Sequence, residues 1–373
     1  MKKLLSMLLV LVMVAGFFSG CSITDNRQVI NVYNWGQYIS DGSDGYLDVI
    51  SEFERQNPDI KVNYVTFDSN ETMYAKMANG GITVDVIIPS DYMVGRLIEE
   101  DMLLELNFDN IPNFQNINPL LLGRDFDPQN RFSIPYTWGN VGIIYNSKYV
   151  AEEDVTGWEL LWNEKYADKI LMFDNSRDAF CIALCMLGAK EGIEEVDINT
   201  TDPETLLRCA EALAQQRPVV QQYIMDQVFD LMENEEAWIA PYYAGDYLTM
   251  AEENEALCFY LPQDQGYNQF VDAMCIPTCC ENKEAAERFI NFLCDPEIAG
   301  SNMDWVCYGT PLSEESGVGE YIDPEIAEEL ILTEEDQEGN KGMTYQPLPR
   351  TTTRLMEELF MQVRNGIEVH LPD

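Results

Sequence analysis

Hydrophobic residues after the N-terminal region switch regularly between strand and helix spacing. Alternating or continuous apolar runs predict three strands, at 29–33, 61–67 and 84–88. Apolar residues three and four apart predict the intervening and following helices, at 46–57, 69–80 and 90–100. Strand–helix alternation of this kind predicts an α/β fold with a mostly parallel sheet.

A second series of elements follows a break in this alternation. Two extended segments, 132–136 and 141–146, are predicted on either side of Trp138-Gly139. Further strands are predicted at 169–173, 238–242 and 270–276, and further helices at 177–187, 203–215, 283–293 and 352–364. The pattern therefore predicts two α/β units of similar size.

The N-terminus has the pattern of a secretion signal over residues 1–20. Lys2 and Lys3 precede an apolar run at 4–18, which is too short for an ordinary membrane-spanning helix. Small residues directly before Cys21 resemble the lipobox of bacterial lipoproteins, so we expect Cys21 to be lipidated and 21–27 to form a stem. The alternative is an ordinary signal peptide with an incidental cysteine. Either way the sequence predicts an extracytoplasmic protein, and the lipobox predicts one tethered to the membrane only by lipid.

The charge balance excludes several classes of function. With 65 acidic and 22 basic residues the formal net charge is -43, so the surface repels nucleic acid and attracts cations. The sole histidine, His370, lies near the C-terminus and rules out His-dependent catalysis or a His-rich zinc site in the body of the chain. We expect no catalytic residues and no cofactor.

Nine cysteines follow Cys21, an odd number that cannot pair completely within one chain. No CxxC pair is present, so we expect no metal site. Most of these cysteines are interpreted as buried small apolar residues, although a disulfide or two stays open as an alternative.

Aromatic and acidic residues recur where the predicted strands end. In open α/β sheets, ligands bind at the carboxyl ends of the strands. The residues at these ends include Trp35, Tyr38, Ser90, Tyr92, Asp178, Tyr243 and Asp246, with Phe270 and Asp272 two apart on one strand face. Basic residues are almost absent there, with Arg177 as the exception.

This inventory suits an elongated cation with an apolar stem. Ring faces attract ammonium groups, carboxylates form charge-assisted hydrogen bonds with them, and rings cover the methylenes between charges. The alternative is that the aromatic residues belong to the core and the acids cap helices.

These residues resemble the spermidine/putrescine-binding proteins of polyamine ABC transporters over nearly all of the chain after Cys21. The most specific segments are 33–35 with Tyr38, 69–76, 89–90 with Tyr92, 126–139 and 290–293. The resemblance implies a two-lobed fold, each lobe a mostly parallel sheet flanked by helices, with the ligand cleft between the lobes. It further implies that lobe 1 comprises 28–140 plus 272–308, and lobe 2 comprises 141–271 plus 309–373.

The resemblance also implies a set of ligand-binding residues. Phe270 and Asp272 match an aromatic-x-acid pair that grips a terminal amine, and Asp178 stands where the family has Glu. Tyr243 stands where Trp is usual, and Gln37 and Asn175 replace acids. Asp246 resembles the putrescine branch and Gln346 the spermidine branch, so the preferred polyamine stays open. The full expected set is Trp35, Gln37, Tyr38, Ser90, Tyr92, Asn175, Asp178, Tyr243, Asp246, Phe270, Asp272, Tyr308 and Gln346.

The resemblance therefore implies a monomeric receptor that delivers a polyamine to an ABC transporter permease and performs no chemistry. A receptor of the same fold for a sugar or an amino acid is the nearer alternative. A secreted hydrolase using two carboxylates is the remoter one, since the chain contains no GxSxG, HExxH, P-loop or GxGxxG motif.

Overall fold

The computed structural model describes residues 27–337 and 341–371, so the predicted signal sequence and Cys21 lie outside the described residues. The strands are β1 (Gln28–Trp35), β2 (Ile60–Phe67), β3 (Val86–Ile87), β4 (Ser133–Asn146), β5 (Ile170–Phe173), β6 (Val220–Ile224), β7 (Ile239–Tyr243), β8 (Leu257–Tyr260), β9 (Tyr267–Cys275) and β10 (Gly342–Met343). The helices are α1 (Val49–Gln56), α2 (Asn70–Ala78), α3 (Asp91–Glu99), α4 (Ser176–Glu191), α5 (Pro203–Gln216), α6 (Val228–Glu233), α7 (Ala244–Glu253), α8 (Lys283–Leu293), α9 (Pro296–Val306), α10 (Ala327–Leu330), α11 (Glu334–Gln337) and α12 (Arg350–Asn365).

Local sequence signals define several helix boundaries. Asp48, Ser69 and Asp202 accept hydrogen bonds from backbone N–H groups in the first turns of α1, α2 and α5. Gly192 ends α4 with a φ of 70°, a left-handed conformation that glycine adopts without steric cost. The predicted α8 boundaries, 283–293, are confirmed.

One hydrogen-bonded path of strands runs through both lobes in the order β2-β1-β3-β9-β4-β7-β5-β6, with β10 beside β9 and β8 beside β4. The outer pairs β1–β2 and β5–β6 are parallel, as the sequence predicts. The long strands β4 and β9 pair antiparallel with each other, and β4 continues antiparallel to β7. The sheets are therefore mixed, because a chain that crosses between lobes and returns must run in opposite directions.

The two extended segments predicted around Trp138-Gly139 form one strand. β4 runs without interruption through Trp138 and Gly139, with a register shift between Pro135 and Thr137. Its first half pairs with β9, and its second half pairs with β7 and β8. The prediction of two separate segments was wrong, because both halves find hydrogen-bonding partners in different lobes.

The hydrophobic cores place the lobe boundaries. Buried residues of 141–267 and 345–363 form one cluster, which includes the fully buried Phe173 and Phe180. Buried residues of 30–138 and 271–332 form two further clusters. The segment 312–332, which the resemblance assigned to lobe 2, packs in the clusters of lobe 1 through Leu312, Val318 and Leu330. We therefore propose that lobe 1 comprises 28–140 plus 272–332 and lobe 2 comprises 141–271 plus 341–371, with the last crossing after residue 332 rather than near Tyr308.

The cysteines are free thiols in the described part of the chain. Six are buried and three are partly exposed, namely Cys258, Cys279 and Cys280. A search of the described residues finds no helix that is both long and apolar enough to cross a membrane.

Asp127 holds the chain at the entry to β4. Its carboxylate is 4% exposed. It accepts backbone N–H groups of Arg131, Phe132 and Ser133 at 2.9–3.1 Å, and the Ser133 hydroxyl at 2.9 Å. Removal of the carboxylate would take this shared acceptor away from all four donors.

We expect Asp127→Ala to lower the free energy of unfolding by roughly 3 kcal/mol or more, because it leaves several buried donors unpaired. Chemical denaturation followed by circular dichroism measures the change. The exposed Asp109→Ala is the charge-matched control and should stay within about 0.5 kcal/mol of the parent protein. Equal effects of the two substitutions would contradict this role for Asp127.

Candidate functional site

Asp272 lies at the centre of the interlobe region, on the crossing strand β9. Its carboxylate is 4% exposed and accepts a hydrogen bond from the Tyr38 hydroxyl at 2.8 Å. Ser90 forms an isolated β-bridge with Asp272, which brings the Ser90 hydroxyl beside the same carboxylate. The other carboxylate oxygen, Oδ1, is buried and has no hydrogen-bond partner among the described residues.

Four aromatic rings form a continuous row that begins at Tyr38, which contacts this acid, and connects the lobes. Tyr38 contacts Tyr308 with ring centroids 5.5 Å apart, Tyr308 contacts Phe270 at 6.0 Å, and Phe270 contacts Tyr243 at 5.7 Å. Tyr243 packs against the clusters of both lobes. The structure therefore brings together aromatic residues from 38, 243, 270 and 308, which lie far apart in sequence.

Asp178 and Asp246 supply two more carboxylates on the lobe 2 side. Asp178 is 5% exposed and accepts hydrogen bonds from Tyr345 at 2.9 Å and Tyr243 at 3.3 Å. Asp246 is partly buried in the first turn of α7, with the Tyr308 hydroxyl beside it. Together with the residues above, eight of the thirteen expected ligand-binding residues form one connected cluster.

Burial dominates the electrostatics of these acids. Burial raises the pKa of Asp246 to about 7, although a hydrogen bond from Tyr308 acts to lower it. Burial also raises the pKa of Asp272 to about 6, although hydrogen bonds from Tyr38 and Ser90 act to lower it. It also raises the pKa of Asp178, which Tyr345, Tyr243 and Arg177 lower. None of the three acids takes part in the ion pairs of the described residues. A cation that enters between the lobes would relieve this burial cost.

A fourth acid, Asp91, was not expected at the site. It is 0% exposed at the start of α3, and burial raises its pKa to about 8 with a further contribution from Asp272. Arg124 and Arg177 both interact with it electrostatically. The sequence places Asp91 at a strand end beside Ser90 and Tyr92, but there it looks like an ordinary first-turn acid of a helix.

Five expected site residues lie outside this connected cluster. Trp35 packs on Phe67 with its indole Nε1 buried and unpartnered among the described residues, and Tyr92 reaches the cores of both lobes. Gln37 is exposed, with a left-handed φ of 53°. Asn175 caps α4 by accepting the N–H groups of Arg177 and Asp178, and the Gln346 amide donates to Asp125 at 2.8 Å. Their roles in ligand binding stay predictions.

Glycines provide the space that the cluster's rings occupy, a feature that sequence reasoning missed. A Cβ at Gly139 would lie 2.5 Å from Cζ of Phe270, its partner across β4 and β9. A Cβ at Gly245 would overlap the ring of Tyr308, and one at Gly309 would overlap that of Trp138. Trp138-Gly139 was noted in the sequence only as a motif, because the ring that covers the glycine comes from a distant strand.

A surface groove lies away from the cluster, and the described residues form no metal site. A groove of about 690 Å³ on lobe 1 is lined by residues such as Glu52, Arg55, Arg288 and Glu297, and contains none of the cluster residues. Within 27–337 and 341–371, no three His, Cys, Asp or Glu side chains are arranged to hold a metal ion.

Comparison with known proteins identifies the class of this fold and site. Residues 48–328 match the family described as "Bacterial extracellular solute-binding protein". The chain therefore belongs to this family of binding proteins, which confirms the two-lobed α/β prediction.

Individual relatives agree over most of the chain. The spermidine/putrescine-binding periplasmic protein of Salmonella typhimurium is 29% identical, with 93% of this chain and 94% of that protein covered. The putrescine-binding periplasmic protein SpuD of Pseudomonas aeruginosa is also 29% identical, with 98% and 100% covered. A crystal structure of the spermidine/putrescine ABC transporter substrate-binding protein PotD of Streptococcus pneumoniae is 32% identical and superposes with a TM-score of 0.78, covering 91% of this chain and 99% of that one.

We expect Gly139→Ala to displace the Phe270 ring, at a cost of roughly 1–3 kcal/mol in unfolding free energy. The near-ultraviolet circular dichroism of the aromatic cluster should change as well. Gly36→Ala is the matched control, because a Cβ there meets no atom within 4 Å. A Gly139→Ala protein with the spectrum and stability of the parent would contradict the seating of Phe270 on Gly139.

We expect the ligand-free protein to become more stable as the pH falls from about 7.5 to about 5. Asp246 and Asp272 have pKa values of about 7 and about 6 when folded, above the unfolded value of about 3.9. The folded state therefore binds protons first, and stability is lost as the pH rises through these values. Asp272→Asn should remove roughly 1.4 kcal/mol of the change between pH 7.5 and pH 5 in urea denaturation. A profile of unchanged slope in the variant would show that Asp272 does not titrate in this range.

Proposed function

We propose that this protein is an extracytoplasmic receptor that captures a polyamine and delivers it to the permease of an ABC transporter. The observation that carries the proposal is the interlobe cluster, in which buried carboxylates and aromatic rings meet without an ion-paired basic side chain. The names of the relatives, which bind spermidine or putrescine, support the same ligand class.

The cluster matches the chemistry of an alkyl polyammonium ion. Asp272 and Asp246 supply anionic acceptors for ammonium groups. Tyr38, Phe270 and Tyr308 present rings to the ammonium charge and to the intervening methylenes, each worth about 0.8 kcal/mol when buried. Ligand contacts with both lobes favour the closed arrangement over an open one, and this difference in contacts drives closure.

Other solute classes fit this cluster less well. An amino acid receptor needs a basic side chain for the ligand carboxylate. Arg177 instead donates to Asn199 and to the Gln346 carbonyl, and its guanidinium lies 4.5 Å from the Tyr345 ring centroid. Sugars do not require several converging acids. We also propose that the protein performs no chemistry and uses no cofactor.

The proposal also covers where the protein is located and which partner it has. Extracytoplasmic location follows from the family, and we propose in addition that Cys21 carries the lipid that tethers the protein to the membrane. The partner is the permease of the transporter, and the receptor acts as a monomer. The short apolar run before Cys21 supports the lipid anchor.

We expect isothermal titration calorimetry to detect binding of putrescine or spermidine and no binding of glucose or glutamate. Asp272→Asn should weaken polyamine binding by a factor of about 10²–10³ or more, because it removes a buried charge partner. The exposed Asp109→Asn changes the net charge equally and should bind like the parent. Absence of binding by a folded, ligand-free parent protein at millimolar polyamine would refute the proposed function, and a folded Asp272→Asn protein of parental affinity would refute the site.

A further inference from the structure

The buried acids of the cluster differ in how the protein itself satisfies them. Both oxygens of Asp178 accept tyrosine hydroxyls, Oδ1 from Tyr345 at 2.9 Å and Oδ2 from Tyr243 at 3.3 Å. In Asp272, by contrast, Oδ1 is buried and has no partner among the described residues. Asp246 has a single hydroxyl beside it, that of Tyr308.

The same acids differ in their cationic neighbours. Arg177 interacts electrostatically with Asp178, and both Arg177 and Arg124 interact with Asp91. The groups that interact with Asp246 and Asp272 include no arginine or lysine. Asp178 and Asp91 therefore interact with a guanidinium charge of the protein, although Asp91 Oδ2 is also buried without a hydrogen-bond partner among the described residues. Asp246 and Asp272 lack such a charge of the protein.

Tyr345 is held so that its hydroxyl stays on Asp178. The side chain is 6% exposed, with the Arg177 guanidinium over its ring. Asn199 fixes the backbone on both sides of Tyr345, because its amide donates to the Thr344 carbonyl and its side-chain oxygen accepts the N–H of Gln346. These contacts hold the Tyr345 backbone and ring in place, with the hydroxyl directed at Asp178.

Two further polar side chains of the expected site are held by hydrogen bonds within the protein. The Asn175 oxygen accepts the N–H groups of Arg177 and Asp178 at the start of α4. The Gln346 amide donates to Asp125 of lobe 1. Around Asp178 the cluster thus presents phenol and amide groups rather than a free carboxylate.

We propose, on the basis of the proposed function, that this site is built for two ammonium groups and prefers a diamine to a triamine. Tyr345 is the positioning residue that sets this preference, because its hydroxyl occupies the acid that a third ammonium would need. Asp272 and Asp246 hold the two ends of the diamine. A triamine binds more weakly, because its third ammonium loses water and gains no free carboxylate.

The test is calorimetric titration of the full chain with putrescine, a diamine, and spermidine, a triamine. The parent protein should bind putrescine at least about tenfold more tightly. Tyr345→Phe removes the hydroxyl and frees Oδ1 of Asp178, so it should shift the ratio of the two affinities toward spermidine by about tenfold. Tyr166→Phe is the matched control, since Tyr166 is a buried lobe 2 tyrosine that donates to Asp154 outside the cluster. It should leave the ratio unchanged.

The outcomes separate this proposal from the broader one. A parent protein that binds neither polyamine refutes the proposed function, and with it this inference. A parent that binds spermidine as tightly as putrescine, or a Tyr345→Phe protein with the parental ratio, overturns the inference alone. If Tyr345→Phe does not fold, Asp178→Glu takes its place. Its longer side chain reaches past the tyrosine hydroxyls and should shift the ratio in the same direction, and an unchanged ratio again overturns the inference.

Discussion

Burial of carboxylates between two lobes, without ion-paired basic side chains, is the constraint on which the rest of this structure depends. Asp178 and Asp272 are 5% and 4% exposed, and burial raises the pKa of both. Such groups are costly in an empty protein and become favourable when a cation is enclosed with them. On the proposed function, an enclosed cation offsets the burial cost of these carboxylates, and this favours both ligand binding and lobe closure. Because protonation also offsets that cost, both depend on pH.

The antiparallel pair of β4 and β9 places this chemistry at the hinge. Phe270 and Asp272 lie on one face of β9, while Gly139 of β4 leaves space for the Phe270 ring. Because both strands continue from one lobe into the other, rotation of the lobes must act on the residues that contact the ligand. On the proposed function, ligand binding and lobe movement are coupled through these shared strands.

Hydroxyl groups divide the acids into two kinds. Tyr243 and Tyr345 satisfy Asp178 within the protein, whereas Asp272 keeps one oxygen without a partner among the described residues. On the proposed diamine preference, Tyr345 limits how many ligand charges the cleft neutralises through its bond to Asp178. Within one fold family, ligand length can be selected by which acids the protein satisfies itself, as well as by which acids are present.

The sequence by itself determined the α/β class, most helices and strands, and the acids and rings at the strand ends, because these depend on local periodicity and on residue type. It predicted the α8 boundaries and the shared face of Phe270 and Asp272, which follow from spacing alone. Only the tertiary structure decided that β4 is one strand, that 312–332 packs with lobe 1, and that Asn175 and Gln346 are engaged within the protein. It also decided the positions of Asp91 and Tyr345 and the seating of aromatic rings on glycines. Each of these depends on a partner distant in sequence, and no local pattern encodes which distant side chain will meet a given atom.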